Sequence, residues 1–207
     1  HRFKSSPFWL LVMDIEYLVG ELDYVGSTYN PSTGESKSAT TTTEDQLFQT
    51  RLLAVSPPTQ KLQLAVGLGY RFWHNTLLGS GGYRRDTTYL YLPLGFQWKD
   101  DIFASTKITF QALYHQWIQG KNKSYLSDVN PDIYGDYEFD QYTGDGFSVK
   151  FHTVTELETV FDLAFSVYYR YWSVEDSSLV ESPVSSGYLV EPANNTKTFG
   201  VRLGAAF

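Results

Sequence analysis

The chain has 207 residues, a formal charge of -7 and a pI near 5.0, an acidic balance that argues against a nucleic-acid partner. It holds no cysteine, which excludes disulfides, thiolate metal sites and a cysteine nucleophile. No run of about 20 apolar residues occurs, so no spanning helix is available, but strands with one apolar and one polar face escape hydropathy because every second residue points the other way.

Taken in order, the chain alternates with the two-residue period of a strand. Trp9, Leu11, Met13, Ile15 and Tyr17 share one face, opposite Leu10, Val12, Asp14, Glu16 and Leu18. A polar stretch over 26–45 follows, with a Ser/Thr-rich run at 37–43 that reads as a mobile loop. Phe48, Thr50, Leu52 and Ala54 then oppose Gln49, Arg51 and Leu53. After a short turn at 56–60, Leu62, Leu64, Val66, Leu68, Tyr70 and Phe72 oppose Gln63, Ala65, Gly67, Gly69, Arg71 and Trp73. A longer connection at 75–85 leads to Leu90, Leu92, Leu94, Phe96 and Trp98, which oppose Tyr89, Tyr91, Pro93, Gly95 and Gln97. Pro93 cannot donate to a ladder, so it belongs at a bulge or a weakly paired position.

A short turn at 99–102 precedes Thr106, Ile108, Phe110, Ala112 and Tyr114, opposite Lys107, Thr109, Gln111, Leu113 and His115. A long polar stretch over 119–145 separates these from Phe147, Val149 and Phe151, opposite Ser148, Lys150 and His152. Another short turn at 157–159 leads to Phe161, Leu163, Phe165, Val167, Tyr169 and Tyr171, opposite Asp162, Ala164, Ser166, Tyr168, Arg170 and Trp172. The last long connection, 173–195, ends in Phe199, Val201, Leu203, Ala205 and Phe207, opposite Thr198, Gly200, Arg202, Gly204 and Ala206.

About eight strands joined by alternately short and long connections predict an all-β chain. The expected form is one transmembrane antiparallel up-and-down β-barrel over 1–207, with short periplasmic turns and long extracellular loops. An additional hairpin within 179–190 would bring the number to ten. The segregation of charge carries the expectation, since a Lys or Arg on the lipid face would cost about 2–4 kcal/mol at mid-membrane. The competing reading is a soluble sandwich or lipocalin-like barrel with the apolar rows inward. No export signal opens the chain, so the expected location, the bacterial outer membrane, implies a signal already removed.

The segment with Phe199, Val201, Leu203 and terminal Phe207 resembles the end signal of bacterial outer-membrane proteins. The whole pattern resembles the small eight-stranded barrels of the OmpA and OmpX types, without a signature for a subfamily. The resemblance implies as partners outer-membrane lipid, lipopolysaccharide and the barrel-assembly machinery that reads that terminal signal.

Inward-facing positions predict a lumen charge network of Asp14, Glu16, Arg51, Arg71, Lys107, Lys150, Glu156, Asp162, Arg170 and Arg202. Unpaired buried charge is costly, so these should form a salt-bridged plug, with Asp14 facing Arg202 across paired first and last strands and Lys107 facing Glu156. Small lumen residues such as Gly67, Gly69, Gly200 and Gly204 leave room for water. Trp9, Trp98, Phe103, Phe161 and Phe207 suit an inner aromatic belt, and Phe72, Tyr114, Trp117, Phe147, Tyr169 and Tyr171 an outer one.

His74, His115 and His152 fall into no His-Ser-acid or metal-binding motif, so no catalytic residue, metal or cofactor is expected. Within 125–145, Asp132, Tyr134, Asp136, Tyr137, Glu138, Asp140 and Tyr142 mix carboxylates with tyrosines. They form either an extracellular ligand surface or the hairpin extension of two strands. The expected function is a non-enzymatic barrel displaying loops for adhesion, capture of an extracellular ligand or envelope structure. The alternatives are a narrow porin-like channel and an outer-membrane hydrolase or lipid A-modifying enzyme.

Overall fold

The computed structural model describes residues 9–30, 35–57, 59–103, 105–157, 161–182 and 187–206. Each alternating segment becomes an extended strand. They are β1 (Leu10–Asn30), β2 (Glu35–Val55), β3 (Leu62–Leu77), β4 (Arg84–Phe103), β5 (Thr106–Tyr125), β6 (Tyr137–Gln141), β7 (Gly144–Thr155), β8 (Asp162–Val174), β9 (Val180–Glu181), β10 (Tyr188–Leu189) and β11 (Asn194–Ala206). A single 3-10 turn, Leu126–Asp128, lies between β5 and β6.

Eight strands follow one another edge to edge in the order β1-β2-β3-β4-β5-β7-β8-β11, each antiparallel to the next. The hairpin expected within 179–190 forms as β9–β10, but as a separate two-stranded sheet, so the main path stays at eight. Directly paired residues run from Glu16 through Gln49, Arg71, Tyr89 and Gly120 to Gln141, from mid-β1 to the end of β6. That stagger is the tilt a curling sheet requires.

The curl sorts the two faces. Leu64 and Val201, on the convex face, are 61% and 56% exposed, whereas Arg71, on the concave face, is 2% exposed. Gln49, Gln63, His115 and Gln141 are enclosed with it. This is the inverse of a soluble sandwich, in which the apolar rows would meet inside.

The sheet is a half-barrel. Among the described residues no ladder joins β1 to β11, although pairing of the first and last strands was expected. Charge spans the gap instead. Glu16 on β1 accepts a 2.7 Å hydrogen bond from Arg170 on β8 and pairs with Arg202 on β11.

Two expected loops are strands. The Ser/Thr-rich run lies in the β1–β2 ladder, which continues through Val25↔Thr40 to Asn30↔Glu35, and β-branched threonines favour that conformation. Part of the acidic stretch is a hairpin extension, since β6 continues the ladder on β5 from Gly120↔Gln141 to Ser124↔Tyr137. Between Leu90↔Gln119 and Tyr91↔Trp117 the register slips, leaving Ile118 as an extra residue. Pro93 sits where its missing N–H is harmless: the β3–β4 pairing jumps from Val66↔Leu94 to Gly69↔Tyr91. The β3–β4 turn closes by a 3.0 Å bond from Leu77 N to Tyr83 O, with Gly79 and Gly81 at φ 99° and 78°, where a side chain would be strained.

Candidate functional site

The concave face is stacked in layers. Next to the short turns, Leu53, Val55, Ala65 and Leu113 form a small apolar cluster. Beside it Gln97 donates to Gln63 at 2.7 Å, and Gln63 donates to the Ser56 carbonyl at 3.1 Å. These glutamines satisfy each other, so their burial costs little.

Above this lies the charge layer. Asp14 pairs with Arg51, the residue directly opposite it on β2, and Glu16 sits between Arg170 and Arg202. Arg202 therefore meets Glu16 rather than Asp14, because Asp14 already has its cross-strand cation. Lys150 makes no ion pair among the described residues. Among the described residues Arg71 has no carboxylate within ion-pair distance, and its guanidinium packs 5.8 Å and 5.7 Å from the Trp73 and Trp172 rings. Nε and Nη1 of both Arg71 and Arg170 are enclosed without a hydrogen-bond partner.

Aromatic rings close the interior above the charges. His115 stacks on Trp172 with centroids 5.1 Å apart and planes 14° apart, and Tyr91 meets Trp172 edge-on at 4.8 Å. Tyr89 and Trp117 lie 4.7 Å apart. Beside Gly69 and Gly200 the expected room is taken by such rings, and beside Gly67 by the Leu52 backbone and the Leu53 side chain. A Cβ on Gly69 would fall 2.2 Å from the Tyr91 ring, one on Gly200 2.4 Å from Tyr168, and one on Gly120 2.3 Å from Trp117. Trp117, assigned from sequence to the outer belt, thus lies inside, where its indole donates to the Gln141 carbonyl at 3.0 Å. Gly204, by contrast, has nothing near it.

Beyond the aromatics the strands carry on into a cap braced by hydrogen bonds. Arg85 reaches Glu191 at 3.1 Å and Asn75 at 2.9–3.0 Å, tying the last long connection to β3 and β4. Asp45 accepts from Thr43, Trp73 and Asn75 at 2.5, 2.5 and 3.1 Å. Asp86 holds both His74, at 2.5 Å, and the Tyr125 hydroxyl, at 2.8 Å. Arg84 grips Asp128 with two side-chain bonds of 2.8 and 2.9 Å, which hold that carboxyl below the usual range.

The ligand-surface residues divide. Asp132, Tyr134, Asp136, Glu138 and Tyr142 are exposed, but Tyr137 turns inward with Phe139 and is buried, so it offers no outer contact. The exposed carboxylates are not a bare acidic patch. Glu138 takes Lys121 at 2.8 Å, which keeps its carboxyl low, Asp140 lies 4.0 Å from the same lysine, and Asp136 accepts from Ser127 at 2.6 Å. Among the described residues no three His, Asp or Glu side chains converge.

Three expected network members do not join the charge layer. Lys107 and Glu156 pair with each other at the short-turn mouth, 61% and 49% exposed, and Asp162 accepts from Leu157 N at 3.3 Å in the β7–β8 turn. Of the terminal signal, Phe199, Val201 and Leu203 project outward, and Phe207 lies outside the described residues.

The histidines have partners but form no nucleophile–base–acid set among the described residues. His115 Nε2 meets Ser148 Oγ at 3.0 Å, His152 Nδ1 meets Ser166 Oγ at 2.8 Å, and among the described residues neither histidine bonds a carboxylate. The cap contacts of Arg84, Arg85 and Glu191 were not foreseen, because residues brought together across loops leave no periodic trace. No protein-family model matches the chain, and no curated protein matches it in sequence.

Proposed function

We propose that the chain is an integral outer-membrane β-barrel, non-enzymatic, that holds a rigid platform outside the cell for adhesion, ligand capture or envelope structure. One observation carries this: the apolar rows face outward while the interior is packed with charge and aromatic rings. In hydrocarbon every backbone group must be satisfied within the sheet, so the reading requires the β1 and β11 edges to meet as a closed barrel in the membrane.

Strand length supports the display role. A tilted strand spans hydrocarbon with about 9–11 residues, whereas β1 and β2 have 21 each and β4 and β5 have 20. The excess lies on the side of the long connections, where Tyr134 and Tyr142 are exposed. Acyl chains and lipopolysaccharide are the partners of the outer wall. The exposed rim of the cap is the surface for an extracellular ligand.

The test is heat-modifiable gel mobility of protein refolded in detergent, followed by insertion into vesicles and protease treatment. The proposal expects a band shift on boiling and cleavage confined to the cap. A monodisperse folded protein in plain buffer, without a shift, defeats it. Planar-bilayer recordings should stay silent, since the interior is filled. Discrete conductance steps would move the assignment to a channel.

A further inference from the structure

We propose that the interior charge layer holds one small monovalent anion of halide size, between Lys150 and Arg170. Among the described residues the layer contains Arg51, Arg71, Lys150, Arg170 and Arg202 but only two carboxylates, Asp14 and Glu16. Both carboxylates are engaged, Asp14 with Arg51 and Glu16 with Arg170 and Arg202. Arg170 is 3% exposed, and its Nε and Nη1 have no acceptor. An arginine cannot shed its proton to escape burial, so the excess of cations over carboxylates in this layer calls for an anion from outside the chain.

The space available sets the size of that acceptor. Lys150, Arg170, Ser148 and Gln111 border a cavity of about 10 Å³, which Arg51, Arg202, Tyr168 and Asp14 complete. That is close to the volume one water centre occupies, so phosphate, sulfate and larger carboxylates do not fit. Asp14 is the one negative group on the wall, and Arg51 neutralises it. The ammonium of Lys150, the guanidinium of Arg170 and the Gln111 amide supply donors of the kind a halide needs.

A larger vestibule lies on the same side of the sheet. At the short-turn end this vestibule of about 670 Å³ is bordered by Lys61, Lys99 and Lys107 together with Asp100, Asp101 and His152. Its walls include Thr109 on β5 and His152 on β7, each two residues along its strand from Gln111 and Lys150 and on the same face. The site lies inside the sheet whatever the exterior touches, so it stands apart from the membrane reading.

The experiment uses the full chain refolded in detergent, with chloride raised against gluconate at constant ionic strength. Readouts are the thermal midpoint and the linewidth of ³⁵Cl magnetic resonance. The site expects a midpoint that rises with chloride but not with gluconate, and a line broadening that saturates. Lys150→Met should flatten both responses while keeping the heat-modifiable band. Should that variant fail to fold, Gln111→Glu supplies a fixed negative charge at the same spot and should give a folded, chloride-indifferent protein. Equal midpoints in the two salts, or an unchanged chloride response in a folded Lys150→Met or Gln111→Glu variant, overturn the site. Loss of the band shift in the unmodified protein speaks against the barrel reading instead.

Discussion

The cap and the lumen both carry many charges, but they balance them in opposite ways. In the cap cations and carboxylates are matched: Arg84 with Asp128, Arg85 with Glu191, Lys121 with Glu138. In the lumen Glu16 serves two arginines, and among the described residues Arg71 has aromatic faces in place of a carboxylate. The exposed pairs, Arg84 with Asp128 and Lys121 with Glu138, contribute little to stability and set the cap's shape more than its strength, whereas Arg85 and Glu191 are enclosed. The lumen is where removing a single charge has large consequences, because the partner left behind stays enclosed.

The sharpest way to break this contrast is Glu16→Gln. It leaves Arg170 and Arg202 without their shared carboxylate at the seam between the sheet edges, and should cost about 3–5 kcal/mol. The urea midpoint of the refolded protein in vesicles measures it. Next is Gly69→Val, which forces its side chain against the enclosed Tyr91 ring and should cost about 1–3 kcal/mol by overpacking. The same midpoint, with the tyrosine fluorescence of the folded form, would register the displaced ring.

In the cap, Arg85→Ala strips Glu191 and Asn75 of a donor. A loss of about 1–3 kcal/mol should be confined to the tie between 173–194 and the β3–β4 strands. Faster proteolysis of 173–194 with a nearly unchanged urea midpoint is the expected pattern. An equal fall in both would show that cap and lumen unfold as one unit.

The smallest effect is a pH response at the hairpin tip. Arg84 depresses the Asp128 carboxyl in the folded state, so its contribution is present above the ordinary carboxylate range and is lost as pH falls through the lowered value. Cleavage near Tyr134 should increase on acidification. In Asp128→Asn it should be raised at neutral pH and vary less with acid.

Alternation made the faces legible, since a two-residue period states which side chains point together even when it is silent about what they touch. Lys107 and Glu156 meet because Glu156 lies just past the end of β7, two residues on from Val154, the residue paired with Lys107, which is information a register contains. Trp117 continues the inward parity of Leu113 and His115, so plain alternation already placed it inside; the slip at Ile118 lies beyond it and exchanges inside for outside only from Gly120 onward. The glycine positions were visible as gaps, but their filling by Tyr91 and Tyr168, the residues directly opposite Gly69 and Gly200, depends on the register between strands, which no single-strand pattern encodes. The Thr-rich run lacked large apolar residues and so resembled a loop, although its ladder to β1 is continuous.

The surplus residue at Ile118 and the pause at Tyr142 and Thr143 lie on neighbouring strands at the same level. Below that level odd-numbered residues of β5 and even-numbered residues of β7 point inward; above it the parity of both strands is reversed, with Asn122 and Phe139 inside. The step acts as an expansion joint. One residue added or removed at this level from each strand would be absorbed by an irregularity already present, while the same edit anywhere lower would turn a whole wall inside out. The upper hairpin is therefore free to change length and sequence over generations without disturbing the part beneath it.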